Sequence, residues 1–398
     1  MPATSTHIVI VTETFPPEIN GVSHTLGRLC EGLDDRGHRV SVVRPRQRSE
    51  PQDTDQGTVV ARGETTIVTG LPLPGYPELR FGMTSWRRLR RLWRRQRPTA
   101  IYVATEGPLG LAAVRAARAL SIPVCSGFHT NFHQYTRHYG VAFLERAITA
   151  YMRWFHNRTQ RTLVPTRRTR QALEQMGIHN ARIWSRGVDC QRFSPAFRDA
   201  SLRAEWGLAD HEIAVLYVGR IAAEKNINLA ASCFERLRRL HPSARFILVG
   251  DGPMRRSLEE KHPDYIFCGM RRGEDLARHY ASGDLFLFPS QTETFGNVVT
   301  EAMASSLAVV AFQDGAAGEL IHPQTNGMTV PVGDDDGFVN AALRLTDQPA
   351  FRRHVRERAR QDALELDWPN LIARFERLIL ETPQEEIGHA RRQSVPPV

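Results

Sequence analysis

Short apolar runs rich in β-branched residues alternate along this chain with longer stretches whose apolar positions recur every three or four residues. Such alternation predicts parallel β-strands buried beneath covering helices. In the first half the predicted strands are His7–Val11, Val40–Val43, Ala100–Val103, Val124–Gly127 and Thr162–Pro165. Between about Arg186 and Asp210 the rhythm stops among Gly187, Pro195, Gly207 and scattered charges. A second series then runs through Ala214–Gly219, Phe246–Gly250, Tyr265–Cys268, Leu285–Pro289, Ala308–Ala311 and Met328–Val330. Two doubly wound α/β domains bordering a cleft are predicted, with ligands at the carboxyl ends of the strands. The boundaries read as a first domain over 1–186, a linker over 187–212 and a second domain over 213–366. A further helix occupies 367–383, and the polar, Pro-Pro-containing end, 384–398, is predicted to be disordered.

Composition narrows the class. A length of 398 residues leaves room for two cores, and 41% hydrophobic with 24% charged residues excludes a disordered chain. The net charge of +9 predicts an anionic partner: phosphate, a membrane surface or nucleic acid. Five cysteines (Cys30, Cys125, Cys190, Cys233 and Cys268) lie far apart without a CxxC pair, which reads as ordinary thiols in a reducing compartment. No apolar run is long enough to cross a bilayer, and the opening residues lack a signal pattern. A cytoplasmic protein, peripheral on the inner face of the membrane, is the expectation.

Chemistry concentrates after the apolar run Leu285–Pro289. The segment Gln291-Thr292-Glu293-Thr294-Phe295-Gly296-Asn297 leads into Val298, Val299, Ala302 and Met303, which share one face of a helix. A strand thus ends, a loop carries Glu293, and a helix starts with free amides around Phe295, Gly296 and Asn297. A helix N-terminus behind a glycine is a seat for phosphate. Glu301, about one turn into the helix, is placed to accept from a sugar hydroxyl beside that phosphate. The unit reads as a sugar-nucleotide site.

Other segments qualify that reading. Val218-Gly219-Arg220 closes the first strand of the second domain, with Lys225 and Asn226 close behind. Fixed cations at such a place would stabilise a leaving diphosphate as it gains charge, while the plainer reading pairs Arg220 with a structural carboxylate and leaves Lys225 exposed. In the first domain, Asn20-Gly21-Val22 ends a long Pro-containing loop, which by itself reads as a plain turn and alternatively as a place where Gly21 lets backbone amides approach donor phosphates. Gly250-Asp251-Gly252-Pro253 follows a strand, but Arg255 stands where a dinucleotide fingerprint has its third glycine, and no Walker A sequence is present. Asp334-Asp335-Asp336 imitates a metal-binding DxD, yet its position before Phe338, Val339 and Ala341 predicts a helix cap. His129, His133 and His138 lack the Glu or Cys that would complete a metal set.

Glu293 and Glu301 stand eight apart within Pro-Ser-x-x-Glu-Thr-Phe-Gly-Asn-Val-Val-x-Glu-Ala-Met. This resembles the E-x7-E motif of retaining GT-B glycosyltransferases, particularly glycosyltransferase family 4, and the resemblance spans nearly the whole chain. It implies two Rossmann-like domains facing across a cleft, with the terminal helix crossing back to the first. It implies that Glu293 holds donor-sugar hydroxyls and Glu301 the nucleotide ribose, while Gly219-Arg220-x4-Lys225 resembles the family's diphosphate clamp. Many relatives place a histidine where His129 stands, near the transferred sugar, to hold a hydroxyl or a carbonyl. Substitution on the front face is implied, with the departing phosphate taking the acceptor proton, so no general base is assigned. With two cations in the clamp, no cofactor and no essential metal are expected.

The acceptor is legible only as a class. Trp86, Leu89, Leu92 and Trp93 recur at helical spacing within Trp86–Pro98, and seven arginines cover the rest. A basic amphipathic helix suits an anionic membrane, although the same apolar positions also suit the core face of a Rossmann helix. No recognition motif for nucleic acid accompanies the charge. The segments Glu13-Thr14-Phe15-Pro16-Pro17 and Phe128-His129-Thr130-Asn131-Phe132 resemble those of bacterial mannosyltransferases and of glycolipid synthases related to sulfolipid synthase, which use lipid-type acceptors. GDP-mannose and a UDP-hexose both stand as donors. The competing readings are a transferase for soluble or polysaccharide acceptors and a non-catalytic sugar-nucleotide-binding protein.

Overall fold

The computed structural model describes residues 6–16, 18, 21–47, 64–73, 76–128, 142–291 and 295–381. They divide into two α/β units: Met1–Ser185 with Pro369–Val398, and Arg186–Trp368.

The first unit is built on an eight-stranded sheet in the order β4-β3-β2-β1-β5-β6-β7-β8. These strands are β1 (His7–Val11), β2 (Arg39–Pro45), β3 (Thr65–Leu73), β4 (Tyr76–Met83), β5 (Ala100–Val103), β6 (Val124–Gly127), β7 (Thr162–Val164) and β8 (Ala181–Ile183). β1 is central because Ile8–Val11 bury completely, pairing in parallel with β2 on one side and β5 on the other. The antiparallel β3–β4 pair and the three-residue β8 add to the strands expected from the pattern. Gly70 and Pro72 of β3 lie beyond Thr65–Val68, the residues that pair with β2, and Pro77 lies in the edge strand β4, positions where a missing ladder bond is tolerated.

The terminal helix Trp368–Leu380 belongs to this unit from Pro369 onward. Phe375 is fully buried, with its ring centroid 4.9 Å from that of Tyr102 and 5.1 Å from that of Trp184. The Arg161 guanidinium donates to the carbonyls of Leu378 (2.9 Å) and Glu381 (2.7 Å), satisfying acceptors that a helix end leaves open. Gly32 leaves room for Ile372, since a Cβ there would lie 2.0 Å from that side chain.

The basic helix spans Trp86–Arg95, with the Ser85 hydroxyl accepting from the Arg87 amide at its start. Leu89 and Trp93 are buried in the core beneath the sheet, and Trp86 and Leu92 pack half-buried against the same cluster. Its apolar face is therefore a core face. Arg87, Arg88, Arg91, Arg94 and Arg95 point outward and are exposed.

The second unit carries a six-stranded parallel sheet in the order β11-β10-β9-β12-β13-β14. Its strands are β9 (Ala214–Val218), β10 (Arg245–Val249), β11 (Ile266–Gly269), β12 (Leu285–Phe288), β13 (Ala308–Phe312) and β14 (Met328–Val330). The chain builds outward from β9 through β11, then returns to lay β12 on the other side of β9. That reversal opens a crevice at the carboxyl ends of β9 and β12, the usual ligand position in such sheets. Residues of the arrhythmic stretch pack within this unit: the Val188 amide donates to the Leu366 carbonyl (3.1 Å), and Arg360 donates to the carbonyls of Cys190 (3.0 Å) and Phe193 (2.8 Å). Asp334 caps the Asp335–Asp347 helix, its Oδ1 accepting from the Gly337 amide at 2.9 Å. All five cysteines are free thiols.

Candidate active site

The loop after β9 carries the first cluster. Gly219 has φ +153°, and the Tyr217 hydroxyl holds the turn by donating to the Arg220 carbonyl at 2.8 Å. The Arg220 side chain is 66% exposed and forms an ion pair with Glu224 at 3.2 Å, a surface pairing that costs little to break. Lys225 is half-buried at the end of the short Ala223–Lys225 turn. Asn226 adopts the left-handed conformation, φ +52°, and so swings the chain from that turn into the helix Ile227–Leu240.

The glycines after β10 brace this loop. A Cβ on Gly250 would stand 1.9 Å from the Gly219 carbonyl oxygen, and one on Gly252 would stand 2.3 Å from that of Ile221. The amide of Ile221 donates to the Asp251 carbonyl (3.0 Å), and the Met254 amide returns a bond to the Ile221 carbonyl (3.1 Å). The Gly-x-Gly that imitates half a dinucleotide fingerprint thus fixes the cation-bearing loop by close backbone approach.

Across the crevice from β9, the chain leaves β12 and enters the helix Asn297–Ala304. Phe295 is 1% exposed and anchors the entry, and Gly296 turns with φ +88° so that the helix starts at Asn297. Among the described residues no side chain caps this end, where the amides of Asn297 and Val298 stand ahead of the Val299 amide that bonds the Gly296 carbonyl. Glu301 is half-buried further along, and the buried Tyr280 hydroxyl donates to its Oε2 at 2.9 Å. Burial raises the Glu301 pKa above the ordinary carboxylate value, and the Tyr280 hydrogen bond opposes that rise. One carboxylate oxygen is held by Tyr280, and among the described residues no side chain donates to Oε1.

The topology therefore brings Gly219, Arg220, Lys225 and Asn226 to the same sheet edge as Phe295, Gly296, Asn297 and Glu301. Gly21 stands in the first unit, as the first residue of the helix Gly21–Asp35, where its carbonyl accepts from the Thr25 hydroxyl at 2.8 Å. Glu293 and His129 lie outside the described residues, as do Asn20, His133 and His138.

Three features escaped the sequence pattern. Tyr280 lies on the helix Gly273–Ser282, and only the fold aims its hydroxyl at Glu301. Arg186, in the arrhythmic stretch, places its guanidinium 5.6 Å from the centre of the Phe295 ring. In the first unit, Glu13 follows β1 and accepts from the Leu109 amide at the start of the helix Pro108–Ala119 (3.3 Å). Burial, supplemented by the nearby Glu106, pushes its pKa up to about 7. No spacing in the sequence signals any of the three contacts.

The model of glycosyltransferase family 4 matches residues 19–192, and that of glycosyl transferases group 1 matches residues 212–348. A GDP-mannose-dependent alpha-mannosyltransferase of Mycobacterium tuberculosis is 35% identical over 369 residues, covering 91% of this chain and 93% of that protein. The sulfoquinovosyl transferase SQD2 of Arabidopsis thaliana is 31% identical over 306 residues, 75% of this chain and 59% of that one. Among solved structures, HepE of Anabaena in complex with UDP superposes with a TM-score of 0.69 at 18% identity, covering 96% of this chain and 99% of HepE, a likeness of fold. With the mannosyltransferase aligned over nearly its full length and both family models placed in succession, the chain belongs to glycosyltransferase family 4 and is a glycosyltransferase of the GT-B fold.

Proposed function

We propose that this enzyme transfers a hexose, with retention of configuration, from a nucleoside-diphosphate sugar to a lipid or lipid-linked acceptor at the inner face of the cytoplasmic membrane. The observation that carries the reading is the pairing of a cation-bearing loop with an uncapped helix N-terminus and a half-buried carboxylate at one sheet edge. In it the amides at Asn297 and Val298 receive a phosphate, Arg220 and Lys225 take the growing charge of the leaving group, and Glu301 accepts from the ribose. Gly219 and Asn226 shape the loop, while Phe295 and Gly296 shape the helix entry. Glu293 and His129 hold hydroxyls of the transferred sugar, the roles their motif positions imply, and Gly21 admits the phosphates to backbone amides.

The bond between the anomeric carbon and the phosphate oxygen breaks as the acceptor oxygen bonds to that carbon from the same face. The acceptor proton passes to the departing phosphate. Two fixed cations and the helix amides stabilise this charge without a resident divalent ion. The mannosyltransferase relative favours GDP-mannose as the first donor to try. The exposed arginines of Trp86–Arg95 and the net charge of +9 support a membrane-borne acceptor.

The test is incubation of the enzyme with anionic, diacylglycerol-containing liposomes and, separately, GDP-mannose, UDP-glucose, UDP-galactose or UDP-glucuronate. Lipid products are read by mass spectrometry and their anomeric configuration by NMR. One glycolipid with the donor's configuration is expected, and Arg220→Ala or Lys225→Ala is expected to cut turnover roughly 10²–10³-fold. Undiminished turnover in both variants would remove the clamp; an inverted product would remove retention.

A further inference from the structure

Arg186 is a half-buried cation beside the start of the helix Asn297–Ala304. Its guanidinium rests over the face of Phe295, the residue that precedes the turn at Gly296 and the uncapped start of the helix Asn297–Ala304. Among the described residues no carboxylate pairs with it, and burial alone lowers its pKa. Arginine keeps its proton in such a site, so this half-buried side chain holds a fixed positive charge with five in-plane donors. A guanidinium 5.6 Å from a ring centre gains a cation–π contact through the ring face, while phosphate is bound by a different part of the group, its N–H edge, through two parallel hydrogen bonds.

The backbone that carries Arg186 is held firmly. A Cβ on Gly187 would lie 2.6 Å from the Trp368 ring, so the chain at this point presses against the indole. The next residue, Val188, pairs with Asp367 in an isolated bridge. Arg186 therefore projects from a fixed segment onto a fully buried ring at the mouth of the anion seat, not from a free loop.

We propose that Arg186 is a third cation of the donor site, binding the distal phosphate of the nucleoside diphosphate edge-on beside the amides at Asn297. This rests on the reading of that site as a nucleotide-sugar seat. Arg220 and Lys225 reach the seat from the β9 loop; Arg186 reaches it from the Phe295 side, so the distal phosphate is held from two directions as it becomes the leaving group.

Calorimetric titration of the full-length enzyme with GDP, GMP, UDP and UMP separates the possibilities. Wild type is expected to bind one diphosphate more tightly than its monophosphate. Arg186→Gln is expected to weaken that diphosphate roughly 10- to 100-fold, the size of a lost charge-assisted pair, and the monophosphate by less than about threefold. Arg186→Lys, which keeps the charge without the fork, should fall between. If Arg186→Gln binds the diphosphate as wild type does, or weakens both ligands equally, the proposal fails while the nucleotide site stands. If wild type binds neither diphosphate, the donor reading and this proposal fall together.

A labelling experiment on unmodified wild type covers the case in which the variant does not fold. Phenylglyoxal reacts with arginine side chains, and the modified peptide is quantified by mass spectrometry. Protection of Arg186 by the preferred diphosphate but not by its monophosphate supports the proposal, and equal labelling with and without diphosphate overturns it.

Discussion

Glu301 illustrates how one residue's chemistry is set by its neighbours. Removal from water raises its pKa, and Tyr280, fully buried behind it, donates the hydrogen bond that favours the ionised form. A carboxylate accepts two hydroxyls where a carboxylic acid must spend one oxygen donating, so the ribose contact proposed for Glu301 depends on ionisation. Tyr280→Phe removes the hydrogen bond that lowers the pKa and therefore moves it further up. The acid limb of kcat/KM should shift to higher pH in this variant, with little change on the alkaline side. A pH–rate profile checks this, and an unshifted acid limb would detach Tyr280 from the function of Glu301. Glu301 itself was legible from its spacing to Glu293 and from the helix that carries it. Its tyrosine partner, 21 residues away, was not, because a hydrogen bond between two helices leaves no period in the sequence.

Among the elements, the start of β12 is held by a concentration of charge. Asp284 is 5% exposed and accepts from Arg203 (2.9 Å), the Ala214 amide (2.9 Å) and Arg356 (3.0 Å), with Arg198 at 3.1 Å. Arg203 is itself 1% exposed and also donates to the Ser282 and Glu212 carbonyls. This knot ties β9 and β12 together at the edge opposite the site, so it sets the spacing of the two strands whose far ends carry the ligand groups. Asp284→Ala leaves buried Arg203 with the exposed Asp210 carboxylate at 4.0 Å in place of its close counter-charge, and a loss of about 3–5 kcal/mol in the stability of the second unit is expected. Denaturant unfolding followed by circular dichroism measures it; a loss below about 1 kcal/mol would mean that water or movement replaces the carboxylate. The elements differ in how well the pattern foretold them. Central strands such as Ile8–Val11 and Leu285–Phe288 announce themselves because burial on both faces demands unbroken apolar runs. The edge pair β3–β4 does not, since Gly70, Pro72 and Pro77 are turn signals everywhere except at an edge. In the Trp86–Arg95 helix the spacing of Trp and Leu was clear, but whether that face met lipid or core was decided by the sheet it covers.

For the molecule as a whole, net charge and its distribution govern encounter. The buried tryptophan face leaves the arginines as the means by which this helix would meet an anionic bilayer. Association should therefore be electrostatic and salt-sensitive, with each arginine near the surface contributing about 1 kcal/mol before saturation. Replacing Arg87, Arg88, Arg91, Arg94 and Arg95 together by Gln is expected to reduce sedimentation with anionic liposomes at least about tenfold at low salt, and raised salt should do the same to wild type. Binding that is indifferent to both changes would assign the face to solvent. None of the described helices is long and apolar enough to cross a membrane, so any such contact is peripheral for them. By itself the sequence determined the two-sheet architecture, the strand that precedes the Glu293–Glu301 motif and the family to which the enzyme belongs, because periodicity and close-packed loops are local properties of the chain. The fold alone decided which distant residues meet: Tyr280 with Glu301, Arg186 with Phe295, the Gly250–Gly252 loop with Gly219 and Ile221. Those contacts depend on strand order and on the reversal at β9, and side-chain proximity across elements is a product of topology that no single stretch of sequence contains.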